Sequence, residues 1–330
     1  MRRLRVVLLG PRRRPYETGN EASLRRIAGA LRRRGVRVVR VDAGPGAAAR
    51  LRSAYRRSAD ILHLYHALHA GRAALRTPPA TGIPWILTVG GTDLSDARAA
   101  SRAVLKRVLR RCAAVVLPGR AWIPLLRDLG VHRSTLRVVE KGIPRCAPPR
   151  PRPRPGKPLL LCLGNIRPVK GQRDLVRDVA PFLRRAGADL LLAGAAIDRG
   201  YARALRADLG RTPLARWIGP VPPRGGRLLL GRATLLLHPA RAEGQSNAIA
   251  EAFAAGVPVV ARDAPANREL IRASGAGWVY RDGRSLRRVL DRILSDPARL
   301  ERASRRGRAW ARPRAAGREA SAYLRVYRGV

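Results

Sequence analysis

Two rhythms of hydrophobic and polar positions alternate along this chain. The first is a short, mainly apolar run: Leu4–Gly10, Val36–Asp42, Ile61–His69, Trp85–Asp93, Ala113–Leu117 and Leu136–Glu140. It resumes at Leu159–Leu163, Leu190–Gly194, Trp217–Val221, Leu235–Leu237 and Val257–Val260. Apolar residues in succession suit a strand covered on both faces, so these runs predict buried parallel strands. The second rhythm repeats every three or four residues and predicts helices over Glu21–Arg34, Ala97–Arg111, Ala121–Leu129, Gly200–Leu209, Asn247–Ala255, Ser285–Leu294, Pro297–Ala311 and Ala315–Tyr327. Strands alternating with helices define an α/β architecture. The alternation stops at Pro144–Pro158, PRCAPPRPRPRPGKP, where proline density forbids helix and sheet and reads as a semi-stiff linker.

The stretch Leu235–Arg262, LLLHPARAEGQSNAIAEAFAAGVPVVAR, carries the most chemistry. A strand enters a polar loop, a helix begins near Asn247, and Gly256 offers the left-handed stop that glycine adopts freely. The helix start turns its unpaired N–H groups to the sheet edge, a ready place for a phosphate. Two carboxylates flank it, Glu243 in the loop and Glu251 about one turn into the helix, with seven residues between them. Phosphate repels an acid, so the pair reads as an acceptor of hydroxyl hydrogen bonds from a vicinal diol. The alternative is a solvated helix face at Glu251 and a dipole contact at Glu243.

The spacing Glu243-x7-Glu251, followed by AFAAGVPVVARDAPANREL, resembles the signature of family 4 (group 1) retaining glycosyltransferases. That resemblance implies an α/β chain with the GT-B fold: two Rossmann-like domains facing a central cleft. The implied divisions are an acceptor domain over 1–143, the linker 144–158, a nucleotide-sugar domain over 159–312 and a tail over 313–330 that returns to the first domain. It further implies that Glu251 holds the ribose and Glu243 the donor sugar. The backbone of Gly244, Gln245, Ser246 and Asn247 would approach sugar and diphosphate, with Gly194 under the base. In the loop GNIRPVKG, Arg167 and Lys170 would neutralise the diphosphate. A leaving nucleoside diphosphate gains negative charge, and fixed cations lower that barrier. These cations make a metal ion unnecessary, and the chain has no Asp-x-Asp pair, so the expected site residues include no metal ligand. Asn165 holds the place usually taken by the arginine, a shift shared with the "glycosyltransferase 1 domain-containing" and selenosugar synthase branches. The expected donor is a UDP-sugar, with no further cofactor.

The first half resembles the family more weakly. Gly19 and Asn20 occupy a loop expected to face the cleft, where the usual double glycine is reduced to one; an ordinary Gly-Asn turn is the alternative. His63, His66 and His69 recur every third residue without a nearby cysteine or acid, which argues against zinc. His69 and Arg72 match the two named branches and are assigned to the acceptor side. Gly91 and Asp93 of the GGTDL segment are assigned there too, with Asp93 open to a second role as cap of the next helix.

Charge changes the picture least where it is largest. The net charge of +46 suggests nucleic acid or an anionic membrane. Yet lysine occurs only at Lys106, Lys141, Lys157 and Lys170, and the arginines are spread over every helix, as a GC-biased genome would write them. The expected partners are therefore a nucleotide-sugar donor and a small-molecule, glycan or lipid-linked acceptor, with peripheral contact to an anionic membrane. A nucleic-acid-binding protein is the reading from another class, and a selenosugar-synthase-like enzyme is the rival within the fold. GQSN in place of that branch's GGAN weakens the rival. Cys112, Cys146 and Cys162 are odd in number and lack metal spacing, which fits a reducing cytoplasm. The basic, briefly apolar start reads as a first strand rather than a signal peptide, because arginines follow its short run.

Overall fold

The computed structural model describes residues 3–12, 18–56, 59–79, 82–95, 99–144 and 157–330. The chain forms two compact units, Met1–Pro144 with Arg314–Val330, and Arg145–Pro313. Most of the proline-rich linker, 145–156 with Cys146, lies outside the described residues.

The first unit runs β1 (Arg5–Gly10), α1 (Gly19–Arg32), β2 (Arg37–Asp42), α2 (Ala47–Arg56) and β3 (Ile61–Tyr65). A π-helical turn, Ala67–Gly71, leads into α3 (Arg72–Arg76). Then come β4 (Trp85–Thr88), α4 (Ala99–Leu109), β5 (Cys112–Leu117), α5 (Ile123–Asp128) and β6 (Leu136–Val138). The six strands are parallel in the order β2-β1-β3-β4-β5-β6. Strand side chains alternate between two cores: Val7, Leu9, Leu62, Leu64 and Leu87 face one way, Val6, Leu8, Ile86 and Val116 the other. Both faces are covered, which is why the runs lack polar alternation.

The second unit runs β7 (Leu159–Leu163), α6 (Gln172–Ala186), β8 (Asp189–Ala193), α7 (Arg199–Gly210), β9 (Ala215–Trp217), α8 (Pro223–Leu230) and β10 (Leu235–His238). It continues with α9 (Asn247–Ala254), β11 (Val259–Arg262), α10 (Pro265–Ser274), β12 (Gly277–Tyr280), α11 (Gly283–Leu294) and α12 (Pro297–Ala311). Its sheet is again parallel, ordered β12-β11-β10-β7-β8-β9.

The last helix, α13 (Ala316–Arg328), belongs to the first unit. Tyr323 and Tyr327 enter its core, where His63 bonds Tyr327 Oη through Nδ1 (2.7 Å) and Thr88 Oγ1 through Nε2 (2.8 Å). Arg26 of α1 meets the buried Glu319 at 2.8 Å.

Several expected boundaries move. The third strand ends at Tyr65, not His69, because the backbone turns at His66 (φ +79) into the π-helical turn. The fourth strand ends at Thr88, before the turn around Gly91. The strand expected over Trp217–Val221 is instead Ala215–Trp217, aligned by pairing with β8. Gly19 and Asn20 form the first turn of α1 rather than a loop, since Thr18 caps the helix by accepting from Glu21 N–H (3.2 Å).

Candidate functional site

The second sheet reverses its strand order between β7 and β10, the place where open α/β sheets bind ligands beyond their strand ends. The loop after β7 is Gly164–Gly171 and the loop after β10 is Pro239–Ser246. They touch. Arg241 N–H donates to Val169 C=O (2.9 Å), and Gly171, at φ +68, lies so near Pro239 that a β-carbon would stand 2.5 Å from its carbonyl oxygen. Glycine serves twice there, for conformation and for closeness.

This contact joins the charged residues. Lys170, the last residue of a 3₁₀ turn opened by Arg167, forms an ion pair with Glu243. The side chains retain 16% and 11% of their exposure, so the pair is largely withdrawn from water. His238, at the end of β10, brings Nε2 to 3.4 Å from the same carboxylate oxygen. Burial pushes the Glu243 carboxyl up, but Lys170 and His238 outweigh it and hold it well below the ordinary range. Burial lowers the His238 pKa and outweighs the raising effect of Glu243, so the imidazole is neutral at pH 7. The acid is therefore an anion at neutral pH, paired with the Lys170 ammonium.

Beside it α9 begins. Ser246 is the cap, its hydroxyl accepting from Ile249 N–H (3.3 Å), and Gly256 follows the helix at φ +71. Glu251 stands half-buried just beyond the first turn, while Gly244, Gln245 and Ser246 are buried. The edge next to β8 is as tightly built. Gly194 approaches Gly164 so closely that a β-carbon would meet its carbonyl oxygen at 2.0 Å. Asn165 Oδ1 accepts from Ala195 N–H (3.2 Å), and Trp217 Nε1 donates to Gly194 C=O (2.9 Å).

Gln172, which sequence reasoning passed over, and Asn267 of the APANREL stretch hold these loops. Gln172, 1% exposed, donates through Nε2 to Asn165 C=O (3.0 Å). Asn267, fully buried, donates through Nδ2 to Ala240 C=O (3.1 Å) and Arg262 C=O (3.0 Å), tying the β10 loop to β11. Asn267 and Glu269 of the APANREL stretch lie in α10. The signal for Gln172 and Asn267 was an amide just inside a helix after a glycine or proline. His238 gave the sign of a lone polar residue ending an apolar strand.

The residues assigned to the first unit gather at its own sheet edge but differ in exposure. His69 lies on the π-helical turn and Arg72 opens α3, both exposed. Gly91 takes φ +89. Asp93 is turned inward, 1% exposed, and accepts from Gly90 N–H (2.9 Å) and Ala67 N–H (2.8 Å). It clamps the β3 and β4 loops together instead of presenting an acid at the rim, and within the described residues those bonds take the place of a cap on α4. The three histidines do not converge, because His63 is committed to the tyrosine core while the His66 and His69 rings lie 4.6 Å apart. Burial raises the thiols of Cys112 and Cys162 to about 12, so neither is a thiolate.

Residues 1–142 match the "Glycosyl transferase 4-like domain" family and residues 157–296 match "Glycosyl transferases group 1". The chain belongs to these glycosyltransferases, which have the GT-B fold. It is 28% identical over 271 residues to the 2-deoxystreptamine glucosyltransferase of Streptomyces kanamyceticus, covering 74% of this chain and 69% of that one. It is 29% identical over 158 residues to the D-inositol 3-phosphate glycosyltransferase of Nocardia farcinica, covering 45% of this chain and 35% of the relative, so it spans only about a third of that protein. Among solved structures, Anabaena HepE in complex with UDP and glucose superposes with a TM-score of 0.78 at 16% identity, over 98% of this chain and 99% of that one. Among the described residues no helix is long and apolar enough to cross a membrane.

Proposed function

We propose that the protein is a retaining, metal-independent glycosyltransferase that moves a sugar from a UDP-sugar to an acceptor held by its first unit. The observation that carries this reading is the meeting of the Gly164–Gly171 loop with the loop into α9, which pairs Lys170 with Glu243 at the switch point of the second sheet. A pyrophosphate there finds the cations Arg167 and Lys170 on one side and the N-terminus of α9 on the other. Negative charge gathers on the departing diphosphate, and these fixed groups stabilise it without rearranging. Arriving phosphate draws Lys170 toward itself and frees Glu243 to accept from a hydroxyl of the donor sugar. Glu251 accepts from the ribose. The backbone of Gly244–Asn247 lies along the sugar and diphosphate, and the flat surface at Gly194 takes the base. No cofactor is required beyond the nucleotide sugar, and no protein nucleophile is assigned. The complex of the similar Anabaena HepE with UDP and glucose supports uridine as the base.

A thermal-shift panel of UDP-, GDP- and ADP-sugars, with and without EDTA, tests the reading. UDP-sugars should raise the melting temperature equally in both conditions, and Glu251→Ala should abolish the rise while its own melting temperature stays near that of the parent. A shift that vanishes with EDTA refutes metal independence. A full shift in Glu251→Ala refutes the ribose assignment.

A further inference from the structure

The first unit contains a cavity of about 390 Å³ between the loop after β2 and the π-helical turn leading into α3. Its walls include Gly44 and Gly46 from the loop, Leu68 and His69 from the turn, and Arg72 and Arg76 from α3. No carboxylate lines it. Arg72 and Arg76 are one helical turn apart, so their guanidinium groups share a face and repel each other. Neither makes a hydrogen bond or ion pair among the described residues. Their neighbours do: Arg40 bonds Glu21 at 2.7 Å, and Arg50 donates to the carbonyls of Asp42 and Pro45 at 3.2 and 2.9 Å. Two cations are thus left facing one hollow without a counter-charge.

The opposite wall adds donors. Helix α2 opens over the cavity at Ala47 and Ala48. The residue accepting its first helical bond, from Arg50 N–H (3.2 Å), is Gly46, which has no side-chain oxygen to cap the first turn. That turn carries no acidic residue either. The backbone around His66 (φ +79) takes the π-helical turn that puts His69 on the rim, although a buried histidine gains nothing intrinsically from a left-handed conformation.

We propose that this cavity holds the phosphate group of a phosphorylated acceptor, with Arg72 and Arg76 on its oxygens, His69 at the rim and the α2 backbone beneath. The inference rests on the glycosyltransferase reading for the word acceptor, and on the cavity alone for the phosphate. Phosphate suits the walls because its oxygens point in several directions and accept paired N–H bonds from guanidinium forks. The phosphate can belong to a soluble monoester or to a lipid headgroup.

The test uses the full chain saturated with UDP, so that the proposed diphosphate site is filled. Calorimetric titration with glycerol 1-phosphate forms one arm. Sedimentation with phosphatidylcholine vesicles containing phosphatidic acid forms the other. Arg72→Gln with Arg76→Gln should weaken binding in at least one arm by about tenfold or more, two charge-assisted contacts being lost. Arg110→Gln with Arg133→Gln, which removes the same charge from exposed positions of the same unit, should change it by no more than about twofold. Dependence in the soluble arm assigns a small phosphorylated acceptor, and dependence in the vesicle arm alone assigns a lipid phosphate. Equal losses in the two double variants, or no binding in either arm, overturn the proposal. The UDP-induced thermal shift is scored separately: its absence from the parent protein defeats the donor reading, whereas its persistence in Arg72→Gln/Arg76→Gln shows that only the cavity was altered.

Discussion

Replacing Lys170 by methionine tests the electrostatic centre of the second unit directly. Methionine keeps the length and apolar stem of lysine but removes the charge, leaving the Glu243 carboxylate, 11% exposed, without its ammonium partner. Breaking a buried ion pair by deleting one partner costs about 3–5 kcal/mol. The residual exposure of both side chains reduces this to about 3 kcal/mol, or roughly 6–12 °C in melting temperature for a unit of this size. Glu243→Gln should be milder, about 1–2 kcal/mol, because the longer lysine can turn its ammonium toward water. The double variant should lie near Glu243→Gln rather than at the sum, with a coupling of at least about 1 kcal/mol. The pH dependence has a fixed sign. In the parent, Glu243 titrates below its unfolded value, so its contribution is present above the ordinary carboxylate range and is lost as pH falls. In Lys170→Met the raising effect of burial loses its main opponent, so Glu243 titrates higher than in the parent and the penalty shrinks on acidification. Urea melts at neutral and mildly acidic pH, followed by tryptophan fluorescence, would measure all four proteins. If Lys170→Met melts within about 1 kcal/mol of the parent, or the single losses add in the double variant, the two side chains are not acting as a buried pair.

Other outcomes follow from single contacts. Gly194→Ala places a methyl where 2.0 Å separates it from Gly164 C=O, so the strand ends must part; about 1–3 kcal/mol of stability and most of the UDP-induced thermal shift should be lost. His63 has its pKa lowered to about 3 by burial, against an unfolded value near 6.5. The unfolded chain therefore binds the extra proton first, and stability should fall with pH between about 6.5 and 3 by roughly 1.4 kcal/mol per unit from this residue. His63→Gln should flatten that slope in urea titrations at successive pH values; an unchanged slope would mean that the imidazole is not the group responsible. Arg26→Leu strands the buried Glu319, whose side chain is 2% exposed, and should destabilise the first unit by about 3 kcal/mol in calorimetry, while Arg26→Lys recovers part of the loss.

Much of this architecture was legible because burial on two faces leaves a plain mark. Leu235–Leu237 and Leu159–Leu163 could be strands of little else than a covered parallel sheet, and the glycine at 256 set the end of α9. The donor-side candidates came from the family resemblance, and of these the structure sets Lys170 and Glu243 in contact. Boundaries failed where a residue's partner was distant. Nothing near His69 announces the π-helical turn, since what fixes it is Asp93, 26 residues beyond Ala67, accepting the Ala67 N–H. Asp93 was open locally to a cleft role or a cap, whereas the bonds that place it join two strand ends.

Sequence alone determined the α/β alternation, the places of the glycines and the chemical kinds of the candidate residues, because periodicity, backbone freedom and charge are local properties. Tertiary structure decided which of those residues meet. Lys170 and Glu243 are 73 positions apart and share no local pattern, yet the parallel pairing of β7 with β10 brings their loops to one edge. The same kind of closure leaves Arg72 and Arg76 facing a hollow while Arg40 and Arg50 find partners. Pairing depends on distances through space, and those are set only when the sheets are complete.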